Sequence, residues 1–390
     1  MEVKLLPKDW QTKPLKAVSA FISKGATPTT YGFKWERDGV LFLRSECVSE
    51  DGLDLSQSMY ISPETHTALI RGEVRSGDIL MTLTGNVGRV IFLDGEFGFA
   101  NTNQHISRIR IVDPNVFAEY IYHYLSQPSI RKYYNSIVTG QAYPQISLTQ
   151  VRNTEVPIPS LKEQQAIAEA LSDADAFIEA LEGLLAKKRQ VKQGAMQELL
   201  TGKRRLPEFS KKWETKKLGD VFEITAGGDF DPTQSSDVRD ERFPFPIYSN
   251  ALTDKGLYGF SSYNNHQAES ITVTARGTLG NANYRDHDFT AIGRVIVLKP
   301  TQPLDGRFIS EYINNRIEFV VESTGVPQLT APQISKYEIL FPEFPEQTAI
   351  AEILSDMDAE IAALEGKLSK ARQVKAGMMS VLLTGRVRLA

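Results

Sequence analysis

At 390 residues, with 41% hydrophobic and 24% charged residues, the chain exceeds one ordinary core and is expected to form two or more domains. A net charge of −4 excludes a protein that grips phosphates through basic excess alone. A single cysteine, Cys47, excludes an intrachain disulfide and fits a reducing cytoplasm, and no run approaches the roughly 18–20 apolar residues of a membrane span.

The first segment, 1–155, opens on WQTKPLKAV (Trp10 to Val18) and runs into a polar loop, KGATPTTYGFKWERDG (24–39). The β-branched runs VGRVIFLDG and HISRIRIV, bounded by Gly and Asp, predict strands, and VFAEYIYHYLSQ (116–127) predicts a helix. Between them lie TLTGNVG (82–88), ANTNQH (100–105) and TGQAYPQ (139–145), rich in small residues and amides. MEVKLLPKDW does not read as a signal peptide.

Residues 156–206 form a second segment dominated by one helix. Its apolar residues Ile167, Leu171, Ala174, Ile178, Leu181 and Leu185 step by 4-3-4-3-4, a heptad seam. Pro159-Ser160 precedes it and Thr201-Gly202 ends it, which gives roughly 37 residues and about 55 Å. The third segment, 207–338, repeats the opening as WETKKLGDV, has a long loop at 227–245, and predicts strands at ESITVTA and GRVIVLKP and a helix at 307–323. The fourth, 339–390, repeats the helix. Over 161–206 and 344–389, at a constant offset of 183, 30 of 46 residues are identical without a gap. Its seam is Ile350, Leu354, Met357, Ile361, Leu364 and Leu368.

The repeat defines two halves. Its edges match (Pro144-Gln145 with Pro327-Gln328, TLTGNVG with TARGTLG at 274–280) while the middles have drifted. The expected fold is a pair of α/β (α+β) globular domains alternating with two long helices. If the third segment is compact with adjacent termini, the helices run antiparallel as a coiled coil, and the chain closes as a pseudo-cyclic, pseudo-two-fold particle.

Chemistry is conspicuous by its lack of motif. No GxxxxGK[ST] loop, GxSxG elbow, Asn-Pro-Pro-aromatic segment or carboxylate–lysine cluster occurs. His66, His105, His123, His266 and His287 are scattered without ligand spacing, so no metal site is expected, and Cys47 reads as a buried thiol. The chain reads as a non-enzyme. Candidate contact residues are therefore loop residues able to read a nucleic acid: Thr27, Thr29, Thr30, Tyr31, Thr84, Asn86, Asn101, Asn103, Gln104, His105, Gln141 and Tyr143 in the first half. In the second half they are Ser249, Asn250, Arg276, Thr278, Asn281 and Gln328. Amides can bond adenine in pairs, and small-residue turns let backbone approach a ligand, although the same residues also serve plain turn chemistry. The cations at 187–189 and 203–205 read as solvated helix-end charges, with phosphate contact as the alternative for them and as a role for Lys211, Lys212, Lys216 and Lys217.

Two variable segments, each followed by a near-identical helix with an EQ-x-AI-A start (Glu163 to Ile167, Glu346 to Ile350) and an LLTG end, resemble a known family. It is the specificity subunit of type I restriction–modification systems, and the resemblance covers the whole chain. GATPTT (25–30) is similar to that family's entry motif, with Ala26 where a second glycine is common; the second half offers only Gly227-Gly228-Asp229. The resemblance implies a non-catalytic cytoplasmic subunit whose two target recognition domains each read one half of a bipartite site in double-stranded DNA. The helices would set the gap and dock two methyltransferase subunits, with restriction subunits joining them. S-adenosylmethionine, ATP and Mg would act in those partners, with no cofactor in this chain. The alternative reading is a non-catalytic coiled-coil scaffold carrying two protein-binding domains.

Overall fold

The structure, a computed structural model, describes residues 6–50, 52–94, 98–140, 143–320 and 327–389. Two compact units divide the chain: one comprises residues 1–181 and 367–390, the other 182–366. The division falls inside both long helices, so each unit contains a part of each.

In the first unit the strands are β1 (Gln11–Pro14), β2 (Ser19–Lys24), β3 (Val40–Leu43), β4 (Met59–Ile61), β5 (Glu73–Arg75), β6 (Ile79–Thr82), β7 (Val90–Phe92), β8 (Phe99–Thr102), β9 (Ile106–Ile111) and β10 (Glu155–Ile158). They form an antiparallel sheet of order β2-β9-β6-β7 and a second of order β4-β3-β8-β5, in which only β3 and β8 are parallel. β1 pairs with β10, setting Gln11 opposite Ile158. The short strands suit β-branched residues whose two faces meet different neighbours, and a mixed sheet follows where crossovers replace hairpins. Helices at Ala118–Leu125 and Pro128–Ser136 cover the first sheet, burying Tyr120, Ile121, Leu125 and Tyr134.

The second unit repeats this frame with β11 (Glu214–Lys217), β12 (Phe222–Ala226), β13 (Ser235–Ser236), β14 (Phe245–Tyr248), β15 (Leu257–Ser261), β16 (Ser270–Val273), β17 (Ala282–Arg285), β18 (Thr290–Ala291), β19 (Ile296–Pro300) and β20 (Glu338–Phe341). The orders are β12-β19-β16-β17 and β13-β15-β14-β18, again with one parallel pair, β14–β18. β11 pairs with β20, Glu214 opposite Phe341, in the register of β1 and β10. The WQTKP and WETKK echoes are thus the same strand laid against the residues that lead into a long helix. The helix expected over 307–323 is Gly306–Arg316. Asp305 caps it through the amides of Arg307 and Phe308, and the β-branched and aromatic run after Arg316 leaves it at once, with Ile317 already extended.

The central helix spans Leu161–Leu199 and the C-terminal helix Phe344–Leu382, 39 residues each. The second therefore begins one residue before Pro345, which sits in its first turn, where a missing amide donor does no harm. Both stop where expected: Gly202 and Gly385 adopt φ of 65° and 69°, conformations a side chain disfavours. Within each unit the two helices run antiparallel. In the first, Ile167, Ala168 and Leu171 share a core with Met379, Leu382 and Leu383, Asp175 pairs with Lys375, and Lys367 lies 5.4 Å from the Phe177 ring. In the second, Met196, Leu199 and Leu200 share a core with Ile350, Ala351 and Leu354, and Lys192 pairs with Asp358 at 2.6 Å. Among the remaining seam residues Leu181, Leu185 and Leu368 are buried, and Ala174, Ile178, Met357, Ile361 and Leu364 are half-buried. No helix among the described residues is long and apolar enough to cross a membrane.

Candidate nucleic-acid interface

The frame is anchored by one arrangement used twice. Glu163, in the first turn of the central helix, is buried and accepts the Trp10 indole N–H at 3.3 Å and the Arg388 guanidinium at 2.5 and 2.8 Å. Arg388 also reaches Asp9 at 2.6 Å, which holds the Asp9 carboxyl below the usual carboxylate range. In the second unit Glu346 is buried and accepts Trp213 at 3.0 Å and Arg205 at 2.7 and 2.8 Å. Each arginine also lies over its tryptophan, at 5.6 Å for Arg388 and 5.5 Å for Arg205. Arg205 is accordingly a structural cation, not the solvated helix-end charge its sequence context suggests. The neighbouring glutamines are buried too. Gln164 bonds the Phe117 amide and the Asn115 and Pro159 carbonyls, and Gln347 bonds the Asp305 amide and the Pro342 carbonyl. In the sequence this Glu-Gln pair is legible only as a repeated motif. The signal for its role is the joint recurrence of Trp10, Glu163 and Arg205 as Trp213, Glu346 and Arg388.

On that frame sit two equivalent loops. In the first unit Thr82 Oγ1 donates to the Asn86 carbonyl at 2.5 Å and accepts from the Arg89 amide at 3.0 Å. In the second unit Thr274 Oγ1 donates to the Thr278 carbonyl at 2.6 Å and accepts from the Asn281 amide at 2.9 Å. Gly85 and Gly277 turn at φ of 70° and 73°, and Gly88 and Gly280 at 77° and 84°, so both loops need glycine at the same two places. The Pro-Gln repeat closes each loop: Thr84 bridges Gln145, and Arg276 bridges Gln328.

The tips differ. In the first unit Thr84 Oγ1 lies 2.8 Å from His105 Nδ1, His105 Nε2 lies 3.0 Å from Gln104 Nε2, and Gln104 Oε1 accepts from Thr27 at 2.6 Å. Tyr143 stands edge-on to His105 with ring centroids 6.1 Å apart. Thr29, Thr30, Tyr31 and Asn86 are exposed around this cluster's loops. Asn103 is buried and accepts from the His105 amide, which sets the turn. Asn101 is fully buried, donating to the Leu69 carbonyl at 2.9 Å and meeting His66 at 2.5 Å, so its amide holds the frame from within. Gln141 lies outside the described residues.

In the second unit Arg276 Nε and Nη2 both donate to Gln328 Oε1, at 3.0 and 2.8 Å, on an exposed tip beside Thr278. Asn281 Oδ1 accepts from Asn283 at 2.7 Å. Asn250, half-buried, ties two loops together: its Oδ1 accepts the Ala275 amide at 2.7 Å and its Nδ2 donates to the Gly293 carbonyl at 2.6 Å. The Ser249 amide donates to the Gly256 carbonyl at 2.9 Å, adding a third loop. The two sites thus offer polar donors and acceptors on small, well-held tips. Among the described residues no group of His, Cys, Asp or Glu could hold a metal ion, and Cys47 is buried, its thiol pushed up by burial.

A duplicated α/β frame with two tied helices and two differing sets of loop tips defines a paired recognition subunit. The family model for the type I restriction modification DNA specificity domain matches residues 7–189 and 210–373, and the chain belongs to that family. It is similar to a putative type I restriction enzyme MjaX specificity subunit of Methanocaldococcus jannaschii, 25% identical across all of this chain and 96% of the relative. The Escherichia coli EcoBI specificity subunit is also 25% identical, over 46% of this chain and 37% of that one. The S subunit of a type I system from M. genitalium shares the fold, with a TM-score of 0.64 at 17% identity over 98% of this chain and 97% of that one. The HsdS subunit from Thermoanaerobacter tengcongensis gives 0.51 at 16% identity over 99% of each.

Proposed function

We propose that the chain is the DNA-reading, non-catalytic subunit of a type I restriction–modification complex. Each unit reads one half of a bipartite duplex site through its loop tips, and the paired helices set the gap and dock two methyltransferase subunits. The observation that carries this is the contrast between an invariant frame and divergent tips. The Glu-Trp-Arg anchor and the Thr-Gly-Gly loop repeat bond for bond, whereas the tip of one unit carries Thr84, Gln104 and His105 and the tip of the other carries Arg276 and Gln328. Selection that holds a scaffold and varies its tips fits two different sequences read by one device.

The net charge of −4 fits a subunit whose partners enclose the duplex and supply phosphate contacts. S-adenosylmethionine, and ATP with Mg²⁺ on restriction subunits, belong to those partners, and the target base is flipped into the methyltransferase pocket. Co-expression should yield a complex with two methyltransferase copies per chain that methylates DNA, while the isolated chain binds duplex weakly and transfers no methyl group. Methyl transfer by the isolated chain, or a single methyltransferase copy at saturation, contradicts the proposal.

A further inference from the structure

Three loops of the second unit converge on Ser249 and Asn250, and each carries a cation beside its tether. Arg276 follows Ala275, Arg294 follows Gly293, and Lys255 precedes Gly256; all three are exposed, and none is ion-paired among the described residues. Two of these cations sit on strained backbone. Lys255 and Arg294 adopt φ of 54° and 64°, and Asp254 adopts 47°, conformations that side chains avoid and that persist only where the surroundings enforce them. The enforcing group is visible for Lys255. Buried Arg285 donates to its carbonyl at 2.5 Å, is fixed by Thr272 Oγ1 at 3.0 Å, and lies 3.4 Å from the Tyr248 ring centroid.

Arg276 is held differently. Gln328 Oε1 takes both Nε and Nη2, fixing the guanidinium plane and leaving the outer Nη1–Nη2 edge with two parallel N–H donors. That fork matches the O6 and N7 acceptors of guanine in the major groove, the commonest specific contact arginine makes. The equivalent tip of the first unit, Thr84-Gly85-Asn86, carries no cation.

We propose that Arg276 reads a guanine in the half-site of the second unit, with Gln328 as its positioning residue and Lys255 and Arg294 on flanking phosphates. This rests on the half-site reading above. The test uses the complex of this chain with its methyltransferase, acting on a duplex library randomised across both half-sites, with both the methylated and the bound fractions sequenced. Arg276→Ala should relax one guanine position of one half-site, losing discrimination there on the order of 10- to 100-fold. Gln328→Ala should relax the same position less. Lys255→Ala with Arg294→Ala should weaken binding to all sequences alike and lower the slope of log affinity against log salt by roughly two. An Arg276→Ala complex that keeps every position of both half-sites overturns the assignment, as does relaxation at a position that is not guanine. Exchange of residues 207–338 for those of a relative separates the two failures. If that exchange changes one half-site but Arg276→Ala changes none, only the guanine assignment falls; if the exchange changes neither, the half-site reading itself falls.

Discussion

A buried glutamate that receives an indole and a guanidinium is worth most as a constraint, because removing it takes a shared acceptor from two part-buried donors at once. Glu346→Ala takes the acceptor from Trp213 and leaves Arg205 the Lys211 carbonyl, and should destabilise the second unit by about 3 kcal/mol, the lower end for a broken buried pair because the Arg205 side chain keeps 27% exposure. Glu346→Gln keeps an acceptor for both and should lose less; chemical unfolding of the two variants measures the difference, and equal loss in both would contradict the account. His123 supplies a pH test. Its ring is buried against Ser172 with Lys375 nearby, and burial first, then that charge, lowers its pKa from 6.5 to about 3. The unfolded chain takes up this proton below about 6.5 while the folded chain does not, so the stability from neutral His123 is complete above that pH and declines as pH falls toward 3. Between pH 6.5 and 5 the loss should be on the order of 2 kcal/mol. His123→Leu should remove that part of the slope in unfolding midpoints; an unchanged slope would show the ring titrating normally. At this scale sequence reading is weakest. An amide looks alike in sequence whether it faces water or, like Asn101, bonds Leu69 and His66 inside the frame.

Among the elements, the long helices were the most legible, since a heptad seam without proline, a repeat at offset 183 and a terminal Thr-Gly leave little freedom. Strand identity was partly legible from β-branched runs, but not strand order: nothing local distinguishes the parallel partners β3 and β8 from their antiparallel neighbours. The helix at Gly306–Arg316 is legible but its end is not, because Ile317, Phe319 and Val320 continue the apolar pattern around Glu318 while the β-branched Ile317 and Val320 favour extension. The seam also contains what hydrophobic periodicity omits. Lys192 and Lys375 are equivalent residues, each paired with the equivalent aspartates Asp358 and Asp175, so register is fixed by charge as well as by packing. The boundary between the units falls after Leu181 in one helix and after Gly366 in the other. Inserting seven residues after Gly183 and seven after Gly366 keeps the heptad and adds about 10 Å at 1.5 Å per residue. At roughly 3.4 Å per base pair the unread gap should lengthen by about three base pairs with both half-sites unchanged. A methylated site with the original gap would show that the helices do not set the spacing.

For the whole molecule, the chain is two recognition units carried on helices that each unit shares. The C-terminal residues return to the first unit, where Arg388 bonds Asp9 and Glu163, so the first unit is built from two separate stretches of sequence and the second from one. Duplication was legible because the frame residues recur, and the separate specificities were legible only as drift between the halves, since no residue-to-base code converts loop sequence into target sequence. The most direct measurement is the methylation site of a complex in which residues 1–155 are replaced by those of a relative with a different target. One half-site should change, with the other half-site and the gap as before. Change in both half-sites, or in neither, would contradict the assignment of one half-site to each unit.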